Sequence, residues 1–175
     1  MSKESLKENI FKHFLAIDLC IDKGLLMPAL ILIYSGIDSL ASLNRMPEKK
    51  KVTREDFKEW CDKYLLPKSG LECSSIDLYA ARCSILHTNT AVSDLSMKEE
   101  ASELIYCIGD ISEREAYQRI DKKYPRKTVI INIGDLDKAF KKSFFIFYEE
   151  LTLDEAKRML VYERSKYYFV DGPAI

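Results

Sequence analysis

Residues 25–44 constrain the fold of this chain more than any other stretch. Leu30, Ile33, Tyr34, Ile37, Leu40 and Ala41 recur at helical spacing, and Ile31, Leu32 and Leu43 add apolar surface on other sides. A helix apolar over so much of its girth is either central in a bundle or at an oligomer interface. The uninterrupted apolar run, residues 25–34, is too short to cross a bilayer, and Ser35, Asp38 and Ser39 follow it. The pattern predicts a core helix from about Met27 to Asn44, with Pro28 suited to its first turn. No membrane partner is expected, and residues 1–9 show no signal-peptide pattern.

Further helices read around this one. Over residues 2–23, Leu6, Ile10, Phe14, Ile17 and Ile21 form a stripe, with Gly24 as its stop. His13 lies beside the stripe and reads as a partly exposed surface histidine. Thr53 and Asp56 form a variant capping box for a helix to Tyr64, with Phe57, Trp60, Cys61 and Tyr64 on one face. Trp60 at that spacing reads as a core anchor rather than a stacking platform for a base. Over 136–150, Phe140, Phe144, Phe145, Phe147 and Tyr148 predict the closing helix of a bundle or a subunit interface. Thr152 and Glu155 suggest a capping box for a last helix to about Tyr168, with Arg158, Arg164 and Lys166 on a solvated face.

Between these helices the pattern changes. Ser96 with Glu99, and Ser112 with Glu115, read as capping boxes, while 104–108 and 128–133 read as strands rich in β-branched or aromatic residues. Each strand is followed by a similar tetrapeptide, Ile108-Gly109-Asp110-Ile111 and Ile133-Gly134-Asp135-Leu136. In each, glycine would make a strand-to-helix turn with aspartate near the N-cap. Neither is a phosphate loop. The fold class expected is mainly α: a helical-bundle core over 1–95, a small α/β insertion with two strands over 96–135, and helices over 136–175 that close the bundle.

A hydrophobic content of 47% with 31% charged residues fits a soluble globular chain, and a net charge of -1 gives no global attraction for nucleic acid. Any RNA contact would need a local patch, for which Lys49, Lys50 and Lys51 in the polar loop 46–52 are candidates. Cys20, Cys61, Cys73, Cys83 and Cys107 are widely spaced, with no CxxC pair and two histidines, so no metal site and no cofactor are expected. Buried reduced thiols and a cytoplasmic setting are the reading.

One residue breaks the apolar logic. Over the helical stretch 78–88, behind a cap at Ser74 or Ser75 and with Asp77 in the first turn, Leu78, Tyr79, Ala81, Ile85 and Leu86 make one broad apolar face. Arg82 projects from the middle of that face. Its charge cannot be shed, and burial without a partner is costly. Asp38, bordering the core face of the central helix, is the leading partner. The pair either fixes helix register or orients a working arginine. His87 follows, about 140° round the helix and about 7.5 Å further along.

Arg82, four intervening residues and then His87, late in a series of amphipathic helices, resembles the Arg-x(4–6)-His motif of the HEPN superfamily. The resemblance covers roughly the first half of the chain. It implies a helical bundle and, as in the members that are RNases and toxin components, metal-independent endoribonuclease activity. It makes Arg82 and His87 the catalytic candidates, with Asp38 orienting and Asn89 beside them as a candidate substrate contact. It implies a homodimer whose two motifs share a groove, with RNA as substrate and a cognate antitoxin or partner protein. The nuclease members often carry a polar residue after the arginine; here it is Cys83. The rival reading is a non-catalytic helical protein that dimerises or binds a partner or nucleotide, with a structural Arg82–Asp38 pair and His87 complementing the helix dipole.

Overall fold

The computed structural model describes residues 3–88, 100–109, 115, 118 and 127–165. They form a mainly helical fold with a small two-stranded parallel sheet. In chain order the elements are α1 (Lys3–Asp22), α2 (Leu26–Asn44), α3 (Arg54–Trp60), a π turn (Cys61–Leu65), α4 (Ser75–Thr88), β1 (Glu103–Cys107), β2 (Thr128–Asn132), α5 (Ile133–Leu153) and α6 (Glu155–Ser165).

The central helix is α2. Its nine buried residues include Leu30, Ile33, Tyr34, Ile37 and Leu40, and α1, α3, α4, α5 and α6 all pack on it. It runs unbroken through Ser35, Asp38 and Ser39, so by length and composition alone it could cross a bilayer, though here other helices enclose much of it. The polar residues do not end it because they sit where α2 meets a partner or solvent. Gly36 marks the tightest crossing. A Cβ there would run into the Phe140 ring of α5 and lie 2.9 Å from His13 Nε2 of α1. His13 is half-buried at this junction, with Nε2 2.8 Å from the Leu32 carbonyl oxygen.

The caps follow local chemistry. Gly24, at φ +68°, closes α1 in a Schellman arrangement: its N–H donates to Ile21, and the Leu25 N–H donates to Cys20 at 2.7 Å. Thr53 and Asp56 form the expected reciprocal box at the start of α3. Ser74 and Asp77 make the same exchange ahead of α4, with Ser74 N–H 2.8 Å from Asp77 Oδ2. Asp77 Oδ1 also accepts from the Ser102 N–H at 2.5 Å, which ties the start of α4 to the entry of β1.

Three expectations are corrected. The helix expected through Tyr64 changes to π spacing after Trp60, with Leu66 N–H donating to the Cys61 carbonyl at 2.9 Å. That wider turn lets Trp60, Cys61, Tyr64 and Leu65 all face inward. The strand expected through residue 133 ends at Asn132, whose side chain caps α5 by accepting from the Gly134 N–H. Gly134 lies inside the helix rather than in a turn before it, and Asp135 stands near the cap, in the first turn. The cap of α6 is Asp154, accepting from Lys157 N–H at 2.9 Å, while the Thr152 hydroxyl turns back to the Glu149 carbonyl. Thr152 is still inside α5, which runs to Leu153, so it cannot take the extended backbone of an N-cap.

β1 and β2 pair in parallel, Glu103 opposite Thr128 through Cys107 opposite Asn132. Leu104 and Ile131 face the bundle and belong to its core. Tyr34 and Tyr106 hydroxyls lie 2.5 Å apart and join α2 to the sheet. Parallel pairing requires a crossover; of the helix expected from Ser112, only Glu115 and Gln118 are described, both helical, and the box at Ser96 lies outside the described residues. The sequence-predicted anchors Leu6, Phe14, Ile33, Ile37, Trp60, Ile85 and Phe144 are all buried. Phe14, Phe140, Phe144, Tyr64 and Phe147 meet edge to face along α5.

Candidate functional site on the fourth helix

Helix α4 is enclosed more broadly than its apolar stripe implies. Ala80 and Ser84 are buried along with Leu78, Ala81 and Ile85. The half-buried sector that remains carries Tyr79, Arg82, Cys83 and Leu86. Arg82 stands at its edge, where α4 crosses α2.

There it meets Asp38. Arg82 Nε donates to Asp38 Oδ2 at 2.7 Å, and Nη2 donates to the same oxygen. Each side chain keeps 22% of its exposure, so the pair sits at the border of the core rather than within it. Burial opposes the Arg82 charge, but the bonds and attraction from Asp38 outweigh it and raise its pKa further. The guanidinium is permanently charged, aimed by α2 and still in reach of solvent.

Around it lie residues the sequence did not bring together as a site. Arg54, the first residue of α3, places its guanidinium 5.5 Å from the centre of the Tyr79 ring, and Phe57 meets the same ring edge-on at 5.6 Å. Cys83 contacts both Tyr79 and Arg82. Burial and Cys83 push the Tyr79 phenol above its ordinary value, while Arg82 and Arg54 draw it down. Their signal in the sequence is faint: Tyr79 lies one turn before Arg82, but nothing local says that α3 supplies Arg54.

The other sequence-predicted residues divide. His87 is in the last turn of α4; its side chain and Asn89 lie outside the described residues. Lys49 is drawn into the fold, its Nζ 2.7 Å from Asp56 Oδ1, with the Asp56 side chain 3% exposed. Asp56 thereby serves Lys49 and the Thr53 cap together, and its carboxyl is held low by those bonds against the effect of burial. Lys50 and Lys51 are exposed. Arg164, read as part of a solvated face, instead donates to the carbonyls of Leu43, Arg45 and Met46 and closes the C-terminus of α2.

Two grooves lie elsewhere. One, of about 340 Å³, runs between α1, α2 and the end of α6 past His13 and Leu40. The other, of about 440 Å³, opens at the C-terminal ends of the strands beside Cys107, Asn132 and Asp135. Neither is lined by Arg82 or Asp38. Among the described residues no three His, Cys, Asp or Glu side chains cluster as metal ligands would. No family model, no curated protein and no solved structure matches this chain.

Proposed function

We propose that the chain is a HEPN-like endoribonuclease that cleaves RNA without metal, through Arg82 and His87 at a groove shared by two copies. The observation that carries this reading is the Arg82 guanidinium: aimed by Asp38 at the border of the core, partly open to solvent, on the helix whose last turn holds His87.

The chemistry needs three groups. A base takes the proton from the 2′-hydroxyl as its oxygen attacks phosphorus. A cation stabilises the charge that builds on the phosphorane. An acid protonates the 5′-oxygen as its bond to phosphorus breaks. The products are a 2′,3′-cyclic phosphate and a 5′-hydroxyl. A histidine moves protons near neutral pH, and an arginine fork fits the phosphate oxygens. One copy supplies one of each; two copies at a two-fold axis supply a base and an acid. Asp38 is a positioning residue here, acting through Arg82.

The test is incubation of purified wild type, His87→Ala and Arg82→Ala with single-stranded RNA in EDTA. Wild type is expected to cleave, with a rate that follows pH through the histidine range, and both variants are expected to lose about 100-fold or more. Intact RNA with wild type, or equal cleavage by His87→Ala, defeats the proposal. The rival is a non-catalytic dimerising or partner-binding protein, and one observation favours it: Asp38 already occupies Nε and Nη2 of Arg82, as a purely structural pair would.

A further inference from the structure

The strongest unexplained group near Arg82 is a second arginine. Arg54 is set at the start of α3 by the Thr53–Asp56 box and the Lys49 bond to Asp56. Its guanidinium is oriented by the Tyr79 ring at 5.5 Å rather than by a carboxylate fork. Its carboxylate neighbour, Glu100, is 3.9 Å away, at the limit of an ion pair. Its Nε is buried and has no hydrogen-bond partner among the described residues. The side chain nonetheless keeps 37% of its exposure, so the rest of the fork reaches solvent.

A guanidinium held by an aromatic face, with donor capacity unfilled, is suited to an oxyanion such as a phosphate, whose paired oxygens match the fork. Tyr79 precedes Arg82 by three residues and so lies on the same side of α4. Both arginines, one from α3 and one from α4, lie close enough to draw the Tyr79 phenol down. Lys50 and Lys51, in the loop ahead of Arg54, are exposed.

Resting on the reading above, we infer that Arg54 holds a second phosphate of the same RNA strand, next to the one held by Arg82. The site would then be built for a polynucleotide rather than a mononucleotide. Arg82 acts on the scissile phosphate, and Arg54 sets the register of the strand. Loss of Arg54 should weaken strand binding and raise KM while leaving kcat for bound substrate largely intact. Loss of Arg82 should lower kcat.

The experiment uses a single-stranded RNA oligonucleotide with 2′-O-methyl groups throughout, which cannot be cleaved through the 2′-oxygen. Its binding to wild type, Arg54→Ala and Arg54→Lys is followed against salt concentration, with thermal melting of each variant as a check on folding. For one lost phosphate contact on a single strand, the slope of log K against log salt should fall by about 0.7 in Arg54→Ala. Arg54→Lys, which keeps the charge, should restore the slope. A dinucleoside monophosphate, with one phosphate, should bind wild type and Arg54→Ala alike. No binding by wild type, an unchanged slope in a folded Arg54→Ala, or equal weakening for the dinucleoside overturns the inference. The cleavage assay in EDTA separates the two claims. Cleavage with an unchanged slope defeats the Arg54 assignment alone, whereas an Arg54-dependent slope without cleavage supports that assignment and defeats the nuclease reading.

Discussion

Arg82 shows how far one side chain can be placed from periodicity. Helical phase put it on an apolar face, the cost of a lone buried guanidinium demanded a carboxylate, and the phase of α2 offered Asp38. All three steps are legible in sequence, and the pair forms. The degree of burial was not legible, because it depends on how α2 and α4 cross. At 22% exposure each, the pair lies between a surface pair worth about 0–1 kcal/mol and an enclosed one that costs about 3–5 kcal/mol to break. We expect Arg82→Met to lose about 2 kcal/mol in denaturant unfolding, with Asp38→Asn,Arg82→Met losing less than the sum of the single changes. Strict additivity would mean that the two side chains do not interact.

Glu150 is a second side chain whose charge the fold holds in place. It accepts from Lys63 and Lys157 at 2.9 and 2.8 Å and from the Tyr64 hydroxyl at 2.7 Å. Burial works against its charge, but these bonds hold its carboxyl down to about 2, from an ordinary value of 4.5. A group depressed in the folded state contributes stability that is complete above its unfolded pKa and is lost as pH falls through its folded pKa. The window is therefore pH 4.5 down to about 2. Glu150→Gln should melt roughly 2–4 °C lower at neutral pH, and acidification through that window should cost it less than wild type. Parallel acid curves for the two proteins would count against this role.

Among the elements, long amphipathic helices were the most legible and their ends the least. The stripes of α1, α2 and α5 repeat over several turns, so the buried residues follow from phase alone. The π turn after Trp60 could not be read, because one extra residue per turn leaves no mark in the residue types. The cap of α6 was misplaced because Thr152 and Glu155 satisfy a pattern that α5, by continuing to Leu153, pre-empts. The parallel pairing of β1 and β2 was open, since strand direction depends on the connection and not on the strands. At the α1–α2–α5 junction, Gly36→Ala gains about 1 kcal/mol of helix propensity but drives a methyl group into a buried ring. We expect a net loss of about 1–2 kcal/mol, read as a lower unfolding midpoint with unchanged m. A gain in stability would show that Phe140 can move aside.

For the whole molecule, the bundle brings together residues from α2, α3 and α4 that are far apart in sequence. That is why Arg54 escaped notice while Asp38 did not: Arg82 required a carboxylate, and nothing required a second arginine. Lys49 shows the converse, a loop lysine that read as free for substrate and is bonded to Asp56. The function proposed for this assembly is cleavage of RNA through its 2′-hydroxyl, using Arg82 and His87. The most direct measurement compares one single-stranded RNA with the same sequence as DNA, both in EDTA, and identifies the new ends. The RNA alone is expected to be cut, leaving 2′,3′-cyclic phosphate and 5′-hydroxyl ends. Uncut RNA, cleavage of both strands, or 5′-phosphate ends would contradict it.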